Sequence, residues 1–226
     1  MEGEYPMNNR ILRTISTVLI VVMLMAGVAF LLYPSLYTRY EQRHEAKAQQ
    51  IYAEALSETT TIQTVLDQAE TYNQSHSVPI ATDETYSMEL SVESSGIMGY
   101  IDIPSIDVSL PIYHGDDDSA LRYGAQHIEW TSLPVGGEGT HCGIAAHSGN
   151  LDVEFFRDLE KLELGDSFTL RVMGETLVYE VDQIMVVDPQ DSSPLMAEPG
   201  EDYCTLVTCT PTDTQEYRLL VRGRRK

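Results

Sequence analysis

A thiol, an imidazole and a guanidinium stand where apolar, strand-like runs meet turns. Cys209 ends TLVTC ahead of Thr-Pro, His147 ends GIAAH ahead of Ser-Gly, and Arg218 opens YRLLVRG nine residues after the cysteine. Residues at such junctions lie on the rim of a domain, where a neighbouring cation favours the thiolate. Cys with His forms a nucleophilic pair, and an Arg can neutralise the oxyanion of acyl transfer. The same residues also fit a plainer description: a buried small hydrophobe, a surface His and a solvated edge charge. Spacing leaves both open, because Cys and His far apart in sequence are only candidates until the fold brings them together.

The elements that must position them follow from periodicity. From Ile97 onward the apolar period is two. Ile97–Ile103, Val108–Tyr113, Phe168–Val172, Thr176–Val187, Tyr203–Cys209 and Tyr217–Val221 read as strands, rich in β-branched residues and punctuated by Gly and Pro. One helix is expected between them, with Phe155, Phe156, Leu159 and Leu162 on one face and Gly165 ending it. Seven or so strands with little helix indicate an all-β barrel or sandwich.

Upstream the pattern changes. Residues 14–38 carry no charged side chain, and Ile15–Tyr33 is almost wholly apolar. A bilayer span takes about 20 such residues. Residues 1–13 therefore read as a short tail and 14–35 as a transmembrane signal anchor. Arg10 and Arg13 before the span are matched by Arg39, Arg43 and Lys47 after it, so charge does not orient it. The short tail suits an external C-terminal domain. Residues 36–75, rich in Ala, Gln and Glu, read as a helical stalk broken near Ser57–Thr61. Residues 76–95 read as a loop, and 96–226 as the main domain.

The chain has 226 residues, 14 Lys+Arg against 35 Asp+Glu, and a formal net charge of -21. That charge argues against nucleic acid as a partner, since phosphate backbones call for a basic surface. Its three Cys include no C-x-x-C, and no H-x3-H lies near a Cys, so no metal or cofactor is called for.

At these residues the sequence resembles the sortases, membrane-anchored cysteine transpeptidases of Gram-positive bacteria. TLVTC at 205–209 looks like the family's nucleophile strand, Arg218 matches its catalytic Arg, and GTHCGIAAHSG at 139–149 is similar to its His segment. IMGYIDIP (97–104), LPIYHG (110–115), TSLPVGGEGTH (131–141), FFRDLEKLELGD (155–166) and GETLVYEVDQIMVVDP (174–189) look most like the pilus-assembling class C.

The resemblance implies a closed eight-stranded β-barrel with short helices behind a helical stalk and one transmembrane helix. It also implies a mechanism. Cys209 attacks the Thr–Gly bond of an LPxTG-like sorting signal, Arg218 steadies the oxyanion, and His147 protonates the leaving amine. An amine then resolves the acyl-enzyme: a pilin Lys in pilus polymerisation, or a peptidoglycan precursor in a housekeeping, anchoring sortase. The implied partners are LPxTG-like surface proteins or pilins, that acceptor, and the cell membrane, crossed once with the catalytic domain outside. A non-catalytic sortase-fold binding module is the rival of another kind. Class C enzymes carry a lid with an Asp-Pro-aromatic motif; 75–95 lacks it, and Asp83 and Tyr86 are the candidates to play its parts. The loop TPTDTQEYR after the cysteine also differs from the usual class C sequence.

Other features are weighed more plainly. His114, His127 and His141 read as structural or surface residues. Asp116–Asp118 reads as a solvated turn without EF-hand spacing. Arg222, Arg224, Arg225 and Lys226 read as a charged flank or a solvated strand end. If the His147 and Cys209 strands are parallel neighbours, as the resemblance implies, Cys142 and Cys204 share one depth and one face, within disulfide reach. Two buried thiols is the expected state.

Overall fold

The computed structural model describes residues 14–28, 50, 52–54, 56, 59–75, 86, 90, 96–115, 118–149 and 155–226. The chain forms two units, Met1–Ala46 and Lys47–Lys226. In the first, helix α1 covers residues 14–28, and its apolar side chains, Leu24 and Met25 among them, are exposed. Among the described residues no helix is long and apolar enough to cross a membrane. The remainder of the 14–35 span expected from sequence lies outside the described residues.

The second unit is built on eight strands: β1 (Ile97–Ile103), β2 (Val108–Tyr113), β3 (Ala125–His127), β4 (Thr140–Ala145), β5 (Ser167–Val172), β6 (Glu175–Val187), β7 (Asp202–Thr210) and β8 (Tyr217–Arg225). They close in the order β1-β2-β3-β4-β7-β8-β6-β5, which decides between barrel and sandwich. Closure leaves no unpaired edge around the ring. Two neighbouring pairs, β2–β3 and β4–β7, are parallel. The interior is filled from every strand, with Ile101, Ile112, Ile144, Phe168, Leu170, Tyr179, Leu206 and Val221 all buried. Space is made on β8 by Gly223, where a Cβ would stand 2.6 Å from the Phe168 ring.

Helix α2 (Thr59–Ser75) begins within the expected break but does not stand free as a stalk. Leu66, Ala69 and Tyr72 are buried, spaced to form one stripe of the helix. The Asn73 amide donates to the Leu133 carbonyl (3.1 Å) and accepts the Leu133 N–H (2.8 Å). Before it, the buried Tyr52 hydroxyl donates to the Met98 carbonyl and accepts the Met173 N–H. These contacts tie the segment onto the barrel.

Two further readings change. Residues 155–162 form turns and one 3-10 turn, Leu159–Lys161, rather than an α-helix. The basic C-terminal run is a strand end, one of its two expected readings, but its charges are paired rather than simply solvated. Arg222 pairs with Asp182 (2.8 Å), Arg224 with Glu201 (2.6 Å) and Lys226 with Glu180 (2.7 Å).

Candidate active site

The site is assembled at the ends of three adjacent strands. β7 and β8 are antiparallel, and Cys209 is paired directly with Arg218. Residues facing each other across such a ladder project to the same side, with Cβ atoms about 5 Å apart. β4 and β7 are parallel, registered Cys142↔Cys204 through Ala145↔Val207. His147 and Cys209 each stand two residues past that last pair. The pairing continues beyond the ladder: the Ala146 N–H donates to the Val207 carbonyl (3.1 Å), and the buried Thr208 hydroxyl donates to the Ala146 carbonyl (2.8 Å). The residue before the histidine is thus held twice by the strand that carries the cysteine.

Local bonds fix the rest. The His147 carbonyl accepts the Phe156 N–H (2.8 Å), tying the His147 turn to the turns of residues 155–162. The Arg218 guanidinium donates to the carbonyls of Gln215 (3.2 Å) and Tyr217 (3.1 Å). Its planar head is therefore steered by its own loop. Cys209, His147 and Arg218 are all half-buried, so each is open to a reactant.

An apolar cluster continues from Cys209 and Arg218 on the outer face of the sheet. Val207 lies two residues before Cys209, Leu220 two after Arg218, and Val187 opposite Arg218. Leu195, from the β6–β7 connection, packs over Val207 and Leu220, with Ile128, Trp130, Ala145, Met185 and Val187 around them. Sequence reading passed over this cluster. A β-bulge between Val181 and Gln183 turns Met185 and Val187 to the side of Leu220 and Arg218, so simple alternation along β6 does not announce it.

His114, His127 and His141 are all buried, which excludes a surface role. His141 donates from Nδ1 to the Met196 carbonyl (3.0 Å) and accepts the Thr205 hydroxyl at Nε2 (2.7 Å). Burial pushes its pKa down, the Met196 bond opposes, and the nearby Arg222 charge lowers it further. It is a neutral structural histidine. His127 Nε2–H donates to the Ser132 carbonyl (2.9 Å), which leaves Nδ1 to accept the Tyr86 hydroxyl (2.8 Å). The Tyr86 oxygen in turn accepts the Gly115 N–H (2.9 Å). Tyr86 is thus a buried anchor of segment 76–95 on the barrel, and Asp83 lies outside the described residues. Cys142 and Cys204 are directly paired, buried and reduced. Among the described residues no group of three His, Cys, Asp or Glu is placed to hold a metal.

A sortase domain model matches residues 101–226, more than half of the chain. The chain belongs to the sortase family. Sortases are cysteine transpeptidases, and the match covers Cys209, His147 and Arg218. Among solved sortases, the chain is 39% identical to sortase C of Streptococcus pneumoniae, with a TM-score of 0.72 over 77% of this chain and 94% of that one. It is 38% identical to sortase C1 of Streptococcus agalactiae, with a TM-score of 0.73 over 77% and 95%. Among curated relatives, sortase A of Streptococcus agalactiae is 26% identical over 64% of this chain. Sortase SrtE1 of Streptomyces coelicolor is 32% identical over 54%. The chain spans 59% and 38% of the length of these two sortases.

Proposed function

We propose that the protein is a class C-like sortase that cleaves an LPxTG-like signal at Thr–Gly and transfers the acyl group to an amine, a pilin Lys. The observation that carries this reading is the direct pairing of Cys209 with Arg218, beside a β4 end that brings His147 to the same rim. Cys209 as thiolate attacks the scissile carbonyl, and the C–N bond breaks from the tetrahedral intermediate. Arg218, aimed by its loop carbonyls, faces the developing oxyanion. His147 gives its proton to the leaving amine. The incoming amine then attacks the thioester, its proton returns to His147, and Cys209 departs as thiolate. The apolar cluster of Trp130, Met185, Val187 and Leu195 supplies a floor for the Leu and Pro of such a signal.

The pilus reading is supported by solved neighbours such as the "pilus-related" sortase C of group B Streptococcus, 41% identical with a TM-score of 0.70. The relatives named sortase A favour the second reading, transfer to a peptidoglycan precursor. The uncharged stretch 14–38 supports a single membrane anchor, and acting on surface proteins calls for a catalytic domain outside. One experiment separates the outcomes. The protein and its Cys209→Ala variant are incubated with an LPxTG-type peptide and either a Lys-bearing pilin peptide or a peptidoglycan-precursor amine. A Cys209 thioester resolved by the Lys peptide supports the polymerase reading, and resolution only by the precursor supports anchoring. If a panel of signals yields no thioester, the catalytic reading fails.

A further inference from the structure

Sixteen ångströms or so beneath the catalytic rim, five residues down each strand, lies a second thiol site that the reaction does not use. Cys142 on β4 and Cys204 on β7 are direct partners in the parallel ladder. They are 2% and 0% exposed. Parallel partners have Cα atoms about 4.8 Å apart, inside the range a disulfide spans. Their Cβ atoms stay near that spacing, whereas a relaxed bridge wants about 3.8 Å, so closing one draws the strands together by about 1 Å. A bridge made under such strain is readily reduced.

We propose that Cys142 and Cys204 form a reversible disulfide pair. A peroxide closes it, a dithiol reopens it, and closure pulls β4 towards β7 below His147 and Cys209. The Cys142 sulfur attacks one peroxide oxygen, releasing hydroxide and leaving a sulfenic acid. The Cys204 sulfur then attacks the Cys142 sulfur and expels the second oxygen as water. Two electrons pass from the thiols to the peroxide, and two waters form per bridge. Surroundings favour the first step at Cys142. Burial pushes both thiols up, but the hydrogen bond between the two sulfurs brings Cys142 down and holds Cys204 high as the proton-keeping partner. His127 connects this pair to Tyr86, the anchor of segment 76–95.

The proposal stands whether or not the catalytic reading holds, and its test needs no turnover. In the Cys209→Ala full-length protein these two are the remaining thiols, because the chain has three Cys. The protein is exposed to hydrogen peroxide, unfolded in an alkylating reagent and weighed. Expected is a fall from two alkyl groups to none, loss of two hydrogens, and a proteolytic fragment joining the two cysteine peptides. Dithiothreitol must restore both alkylation sites. Thiols that stay alkylatable, sulfinic acids without cross-link, or a bridge that resists dithiothreitol each overturn the pair. Loss of two hydrogens that persists in the added Cys204→Ala variant also overturns it. Trp130, the chain's single Trp, packs with Ala145 and Val207 and reports strand movement. Its emission should shift on bridging and return on reduction. A bridge that forms with unchanged emission overturns the coupling to the catalytic end.

Discussion

Cys209 and Arg218 are direct partners across the β7–β8 ladder, so the nucleophile and the cation beside it are held by the same backbone hydrogen bonds that close the barrel. The ladder fixes their backbones, and the loop between them aims the Arg218 head. Replacing Arg218 by Ala should lower the rate of thioester formation by about 10²–10³, the scale of losing one oxyanion donor. Lys should recover part of it, since it keeps the charge and lacks the planar fork. Stopped-time mass spectrometry of the acyl-enzyme reads both, and a Lys variant as slow as the Ala variant would remove charge from the account.

Thr208 holds the other half of the site. Its hydroxyl donates to the Ala146 carbonyl from a buried position. Thr208→Val keeps the shape and leaves that carbonyl unpaired, which should cost about 1–3 kcal/mol in urea unfolding. The His147 end of β4 is then held by one bond instead of two. Acyl transfer should fall by about ten- to a hundredfold, the scale of a small misplacement of reacting groups. Full activity with reduced stability would confine Thr208 to a structural role.

His141 makes a pH prediction. Burial lowers its folded pKa below the ordinary value of 6.5. Between those two values the unfolded chain binds a proton that the folded chain refuses. Stability therefore rises with pH through that window and levels off above 6.5. In urea titrations from pH 5 to 8, His141→Gln should flatten this slope. An unchanged slope would assign it to other groups.

Tyr86 is tested by a single atom. Tyr86→Phe removes the hydroxyl that donates to His127 and accepts from Gly115. The buried His127 loses a partner, at about 1–3 kcal/mol, and the half-buried Gly115 N–H loses one at a smaller cost. Limited proteolysis should then cut within residues 76–95 sooner than in the parent, and equal cutting rates would show the segment is held elsewhere.

Much of the barrel is legible because β1, β2 and β5 to β8 each run for six residues or more and are rich in apolar and β-branched side chains. β3 is not, since Ala125–His127 is too short to carry a period. The expected helix at 155–165 failed for a definable reason. Phe156, Leu159 and Leu162 are buried at a spacing of three, which a 3-10 turn satisfies as well as an α-helix does. The catalytic candidates were visible as residue types at strand ends. Their adjacency was not, because it rests on β4 lying beside β7, a pairing between segments distant in the chain. The apolar stripe of α2 was visible too, but only its burial against the barrel gives that stripe a purpose.

The parallel β4–β7 seam also sets when the protein becomes reactive. Ala146 and Thr208 are 62 residues apart, whereas β5–β6 and β7–β8 are local hairpins. Distant pairings carry the larger loop-closure cost and form late. A folding chain can close the β7–β8 hairpin, with its cysteine and arginine side by side, before the histidine strand joins it. The proposed nucleophile and proton donor come together only on completion of the barrel.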